Sequence, residues 1–600
     1  MKKLVYLLVI AGLFPFLAGC DDFLDVSNYT VKDESSYPKT EADALEMLNG
    51  VYSRLNRNAA VGSSYYNIGE MLSDQRFGGG GMADRGNQAH NQLMYTSQNQ
   101  INGTWTSRYT SIAYANAALA ALANMDEGTA KDQKIGEAKV MLALWYFELV
   151  QLLGDIPLMK RAPENLEEAK TSPPPVSQEE IYKFIAQNLW DAYNSMPECQ
   201  WNTYPSGTIT KWAAAGMLAR VYLFYTGFYQ KAALPLEDGG QITGTQIATA
   251  LEDCITKSEH SLVPDFRSLW AYTNSVTKPD YPFAVDAPTW VRDGENPEHV
   301  FVIKMKPHST YNSTISCNEY QLYYAPRQGG GTDYKKLFPL GLGWGHGPVN
   351  SKLWDDWAID EPNDIRRKAS IWNYKEETLF VGTGADRVEV PAESYYESQW
   401  GADRMWEETG MWQKKMVATR AYKPDGNSLY YSFMSAPEYF NYVNDNFQQG
   451  HGCDFIFIRF ADILLMHSEI TQTADGLNKV RARVNLPPVA YSIEAIQKER
   501  RYELAFEGVR WGDMRRWHIA DVMLDRMYGV VIRNDAVPTV MKKQSPWTAG
   551  ERYRETNGFL QVPLTQRELA GKDESGNDIL KQNKGWPDIP ELLFTQWVDN

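Results

Sequence analysis

The stretch from Lys131 to Leu153 places Val140, Met141, Leu142, Leu144, Trp145, Phe147, Leu149 and Val150 on most faces of a single helix. A helix that is apolar nearly all round must be enclosed by other elements, so the chain needs further helices to wrap this one. The pattern supplies them. Ala44, Leu45, Leu48, Val51, Tyr52 and Leu55 recur at three- and four-residue steps from Glu41, with Thr40 as N-cap. Further helices are expected at Thr104–Asn124, Gln178–Ser195 and Thr210–Gly227, and Gly154 and Pro157 stop the enclosed one. Helices paired across short breaks predict a mainly α chain of stacked helix-turn-helix repeats of the tetratricopeptide type.

From about Lys231 to Gly450 the periodicity lapses into prolines, glycines and isolated aromatics. A loop-rich region of this length inside a helical protein is expected to be functional. Helical patterning resumes at Ile458–Thr473, Gly476–Val484 and Ile493–Trp517, and Phe559 to Leu564 reads as a short extended segment. The expected organisation is a leader at 1–19, a tether at 20–40 and a single domain at 41–600. Its helical scaffold is placed at about 41–230 and 455–530, with the loop-rich face at about 231–450.

Lys2 and Lys3 followed by the apolar run Leu4–Ala18 read as a secretory leader, too short for the ~20 apolar residues of a membrane-spanning helix. Its end, Leu17-Ala18-Gly19-Cys20, resembles a bacterial lipobox, so Cys20 is the expected lipidation site. The formal charge is −16, which argues against nucleic acid as a partner because phosphate neutralisation needs clustered Lys and Arg. Cys199, Cys254, Cys317 and Cys453 lie far apart without metal-type spacing, which leaves free thiols and bridges both open.

Motifs for covalent or phosphate chemistry are missing: there is no nucleophile elbow, HExxH or GxxxxGK. The glycine runs Gly78–Gly81 and Gly329–Gly331 do not sit between an apolar strand and a helix, so they read as loops. Asp355, Asp356, Asp360, Glu361 and Asp364 lack the alternation and turn glycine of a calcium loop and read as a solvated face. No cofactor or metal is expected, and nothing positively indicates an enzyme.

The segment from Glu499 to Trp517 (ERRYELAFEGVRWGDMRRW) is dense in alternating charge, with Arg500–Glu503, Glu507–Arg510 and Asp513–Arg516 each three residues apart. On one helix these spacings favour local ion pairs. The segment also resembles the C-terminal signature of the SusD/RagB family of nutrient-binding lipoproteins. Arg459 to Met466, Gly136 to Leu158, Thr210 to Leu223 and Gln582 to Trp586 resemble other family stretches, in the right order along the chain. The resemblance implies four tetratricopeptide-like units packed against a loop-rich, ligand-facing half. It also implies an outer-membrane lipoprotein facing the cell exterior, seated as a lid on a SusC-like TonB-dependent transporter. Asp21, Asp22 and Asp25 resemble the family's surface-export signal.

A lid must hold its cargo and leave it intact. For glycans this calls for aromatic rings against the C–H face of the sugar and polar side chains for its hydroxyls. The 76 aromatic residues exceed what a core alone suggests, although for each one by itself core packing is the favoured reading. The ligand-binding candidates are Asp74 and Arg76 beside the glycine run for hydroxyls, and Trp270, Trp290, Tyr323, Tyr324 and Trp344 for stacking. The expected function is non-catalytic capture of oligosaccharides for import. Peptide capture, a surface glycoside hydrolase and a purely structural docking protein are the alternatives.

Overall fold

Thr40 and Asp43 bond reciprocally across the first turn of helix α1 (Glu41–Ala59), which buries Ala44, Leu48, Val51 and Leu55 along one stripe. In this computed structural model the described residues are 40–59, 62–82, 84–96, 100–165, 168, 173–307, 316–327, 338–381, 387–396, 405–422, 429–430, 448–535 and 537–588. The leader, Cys20, the tether and the glycine run at 329–331 lie outside them. Helices α2 (Ile101–Leu122), α3 (Thr129–Leu153), α4 (Gln178–Ser195), α5 (Lys211–Phe228) and α6 (Gly244–Lys257) follow, and each packs on its predecessor. The enclosed helix of the sequence reading is α3, with 19 of its 25 residues buried. Ser177, Thr210 and the capping box at Thr243 begin α4, α5 and α6, and Gly154 (φ +74°) ends α3.

The stack then resumes far along the chain. Helix α7 (Phe460–Thr471) packs on α6, α8 (Asp475–Arg483) on α7, and α9 (Ile493–Glu503) on both, so the loop-rich half is one long excursion between α6 and α7. A two-stranded antiparallel ribbon closes it, pairing β1 (His299–Ile303) with β2 (Phe455–Arg459). Every ladder among the described residues has only two strands, so the chain is mainly α.

Three expectations are corrected here. The helix expected from Ile458 starts at Phe460, because Ile458 and Arg459 pair with Phe301 and His299 in the ribbon. The helix expected across Ile493–Trp517 is broken after Glu503 and resumes as α10 (Arg510–Arg516). Phe506 (φ +64°) and Gly508 (φ +77°) make the break, and a Cβ on Gly508 would lie 2.4 Å from Tyr66. Phe559–Leu564 forms no ladder; the Leu560 N–H instead caps the Leu152 carbonyl at the end of α3, at 2.7 Å.

The local ion pairs are corrected too. Only Asp513–Arg516 forms as spaced, at 2.8 Å. Arg500 bonds Asp462 and Asp513, and Arg510 bonds Asp74. Glu503 instead accepts from Arg366, Arg459 and Arg483, while Glu507 accepts from Arg459 and Lys415. Glu298, one residue before β1, also bonds Arg459 and Arg483. Helical spacing brings i and i+3 onto one face, but these groups face inward, where cations from the loop-rich half meet them. The result is a buried network that fastens that half to α8, α9 and the turn beyond. The acidic residues expected to be solvated are largely recruited as well: Asp356 bonds Arg501 and Arg526, Glu361 bonds Arg481, and Asp364 bonds Arg366. Among the described residues, Cys199, Cys254, Cys317 and Cys453 are buried and none is in a disulfide.

Candidate functional site

The glycine run lies against a second glycine-rich strand of chain. The Phe77 N–H donates to the Pro348 carbonyl (2.9 Å), Gly80 N–H to Gly345 (2.7 Å), and Gly347 N–H to Gly78 (3.1 Å). This pairing leaves no room for a side chain at Gly79 (φ +64°), whose Cβ would lie 2.3 Å from Pro348 Cδ and 2.5 Å from the Gly345 carbonyl. Gly79→Ala is therefore expected to cost about 1–3 kcal/mol, read as a lower urea midpoint, and to speed hydrogen exchange at the Gly80 amide.

The second strand is fixed from its other side by a short helix, Tyr320–Tyr323. The carbonyls of Leu322, Tyr323, Ala325 and Pro326 accept from the N–H groups of Trp344, His346, Gly345 and Gly343, at 2.7–2.9 Å. Carbonyls orphaned by the helix end are thereby satisfied, and three rings are brought together. Tyr323 lies 5.3 Å from Trp344 and 5.4 Å from His346, with Trp344 and His346 6.0 Å apart. Tyr323 and His346 are buried, while Trp344 is 38% exposed. At the edge, Arg327 Nη1 bonds Asp84 Oδ2 at 2.7 Å, and His346 Nε2 stands 3.8 Å from Asp84 Oδ1. Burial alone would raise the Asp84 carboxyl, but His346, the Gly81 N–H and Arg327 outweigh it and hold it well below the usual range. Asp84 therefore stays an ionised hydrogen-bond acceptor, engaged by the Gly81 N–H and Arg327.

Beneath the rings, the Tyr323 hydroxyl donates to Glu319 Oε2 at 2.6 Å. Burial lifts the Glu319 carboxyl to about 6, against the opposing pull of that hydrogen bond. A carboxyl raised by folding contributes stability that is full below its unfolded value of 4.5 and is lost as pH rises through about 6. Glu319→Gln is therefore expected to raise stability at pH 7.5 by about 1 kcal/mol and to flatten its pH dependence between 4.5 and 6. Urea unfolding at several pH values checks it.

Of the seven sequence candidates, the structure brings Tyr323 and Trp344 together in this surface and turns the others inward. Asp74 is held by Arg510 at 2.7 Å and by Arg501 at 3.2 Å. Arg76 is fully buried, with its guanidinium on Glu70, on Gln413 and on the Gly347 carbonyl, 4.1 Å from the Tyr324 ring. These two residues anchor the glycine run rather than face solvent. Tyr324 is fully buried, donating to Asn67 at 2.8 Å; Trp270 is buried 4.8 Å from the Lys415 ammonium, and Trp290 is buried beside Ala271 and Cys453. His346, Arg327 and Asp84 were missed by the sequence reading. The usable signal was Gly343-Trp344-Gly345-His346-Gly347, where glycine alternates with ring-bearing residues.

A helical stack carrying an aromatic surface on its long excursion agrees with the comparisons. A family model described as starch-binding and associating with the outer membrane matches residues 22–223, and the model of the SusD family matches residues 293–586. The chain belongs to the SusD/RagB family. SusD-like protein P2 of Formosa agariphila is 24% identical over 545 residues, covering 86% of this chain and 91% of the relative. Surface glycan-binding protein A from Bacteroides fluxus superposes with a TM-score of 0.64 at 20% identity, covering 91% of this chain and 99% of that one. Surface glycan-binding protein A from Bacteroides thetaiotaomicron, solved in complex with laminarihexaose, gives 0.64 at 15% identity, covering 91% and 100%. At such identities these structures share the SusD fold with this chain. No helix among its described residues is long and apolar enough to cross a membrane.

Proposed function

We propose that this SusD/RagB member captures oligosaccharides outside the cell without altering them and delivers them to a SusC-like TonB-dependent transporter. The observation that carries the reading is Trp344, exposed on a surface otherwise built of buried rings and backbone hydrogen bonds. A pyranose stacked on the indole would bury its C–H face, while Asp84 and Arg327 at the edge supply an acceptor and donors for hydroxyls. A surface with one exposed ring suits a protein that must release its cargo again. A lipid on Cys20 would hold the site at the membrane and is part of the same proposal.

The test is calorimetry of a soluble form lacking residues 1–20 against oligosaccharide and peptide panels, with product analysis alongside. Saturable heat from one glycan class with no released sugar is expected. Heat from peptides alone would move the cargo to peptides, and released sugar would make the chain a hydrolase. Co-purification with a SusC-like transporter from the same organism tests delivery.

A further inference from the structure

A second cavity opens between the α4–α5 loop and the start of β1, built from segments that do not contribute to the Trp344 surface. Its volume is about 220 Å³, room for one sugar ring. Its floor is buried and its rim, at Asn202, Ser206 and Gly294, is exposed.

Three properties of the lining define what fits. First, it contains no carboxylate, ammonium or guanidinium. Its two imidazoles are neutral at physiological pH, because burial pulls His260 down to about 4 and His299 to about 3. Second, three of its buried polar atoms are unmet. Asn296 is 2% exposed; its Oδ1 accepts from the Glu298 N–H at 3.0 Å, while its Nδ2 has no partner. Both ring nitrogens of His299 are buried without a partner as well. Nδ1 of His260 lies 2.7 Å from the Pro297 carbonyl, so it carries the proton and leaves Nε2 as an acceptor. Buried donors and acceptors in this number are costly unless something answers them. Third, Trp201 and Tyr204 line the same cavity, half-buried, and add apolar ring surface.

We infer that this cavity is a binding site for one neutral, polyhydroxylated ring, a single uncharged sugar residue. Neutral walls disfavour a charged ligand, the unmet amide and imidazoles match hydroxyls that both donate and accept, and the aromatic walls match ring C–H groups. Such a ring reaches the site either as a free monosaccharide or as the end of a glycan chain, and both present the same chemistry.

Saturation-transfer NMR on the Trp344→Ala protein tests this independently of the proposed capture surface. The probes are neutral hexoses and pentoses, their methyl glycosides, the matching disaccharides, and a uronic acid as charged control. At least one neutral sugar is expected to give a saturable signal in Trp344→Ala, reduced at least tenfold in the double variant with Trp201→Ala or with Asn296→Ala. The uronic acid is expected to give none. Thr208→Leu, which fills the mouth without touching the buried amide, gives the same loss if Asn296→Ala fails to fold. A free sugar binding while its disaccharide does not marks a monosaccharide site, and the reverse marks a chain-end site. No saturable signal in Trp344→Ala, or a signal indifferent to Trp201→Ala and Thr208→Leu, overturns the inference and leaves the cavity to water.

Discussion

Glu503→Ala is expected to lower folding stability by about 4 kcal/mol or more, the largest single effect we expect in the scaffold. Glu503 is wholly buried and accepts from three guanidinium groups, Arg366, Arg459 and Arg483. Burial pushes its carboxyl upward, yet the three arginines hold it well below the usual range. Truncation removes the acceptor that three buried cations share; Arg366 keeps Asp364, and Arg459 and Arg483 keep Glu298, but each loses a charged hydrogen bond where water cannot replace it. Unfolding in urea should show a lower midpoint with an unchanged slope, and the difference should persist in salt because buried charges are poorly screened. Glu503→Gln should fall between wild type and Ala. A loss below about 1 kcal/mol for Ala would show that the network is dispensable to the fold.

Trp344→Ala is expected to weaken oligosaccharide binding by about 30-fold or more while leaving stability nearly unchanged. Truncating a central tryptophan in a binding surface costs about 2 kcal/mol or more, and tenfold in affinity is about 1.4 kcal/mol. Folding should be indifferent, because the bonds Trp344 makes to Leu322 and Arg327 use its backbone N–H and carbonyl, and the side chain is partly in solvent. Titration calorimetry paired with thermal unfolding separates the two readouts. Equal binding by wild type and variant would place glycan recognition elsewhere on the chain.

The scaffold was legible wherever a helix turns one stripe, or every face, toward other helices. The expected boundaries of α4 match the structure, and those of α3 and α5 fall within two residues of it, because caps and periodicity agree. Legibility failed where the deciding partner is distant in the chain. Ile458 and Arg459 continue a helical pattern locally but are claimed by a strand that ends at Ile303. The spacing of Glu503 and Glu507 suggested local pairs, since nothing near them announces that Arg366, Lys415 and Arg459 will arrive from other elements.

The same reason divides the candidate site. Trp344 and the Gly78–Gly81 run could be found because glycine beside aromatics is a local signal. Asp74 and Arg76 sit beside that run and read as its polar complement, but their partners Arg510 and Gln413 lie hundreds of residues away. Burial of a polar residue is a property of the whole fold, and a window of sequence does not contain it.

The loops that carry Trp344 and Arg327 are fastened chiefly through main-chain hydrogen bonds. Peptide groups are alike in nearly every residue, so this fastening is blind to which side chains the loops carry outward. On the capture surface proposed above, substitution at these positions would alter what is recognised without loosening the frame. Diversification of cargo can then proceed by single exchanges, with selection on recognition uncoupled from selection on folding.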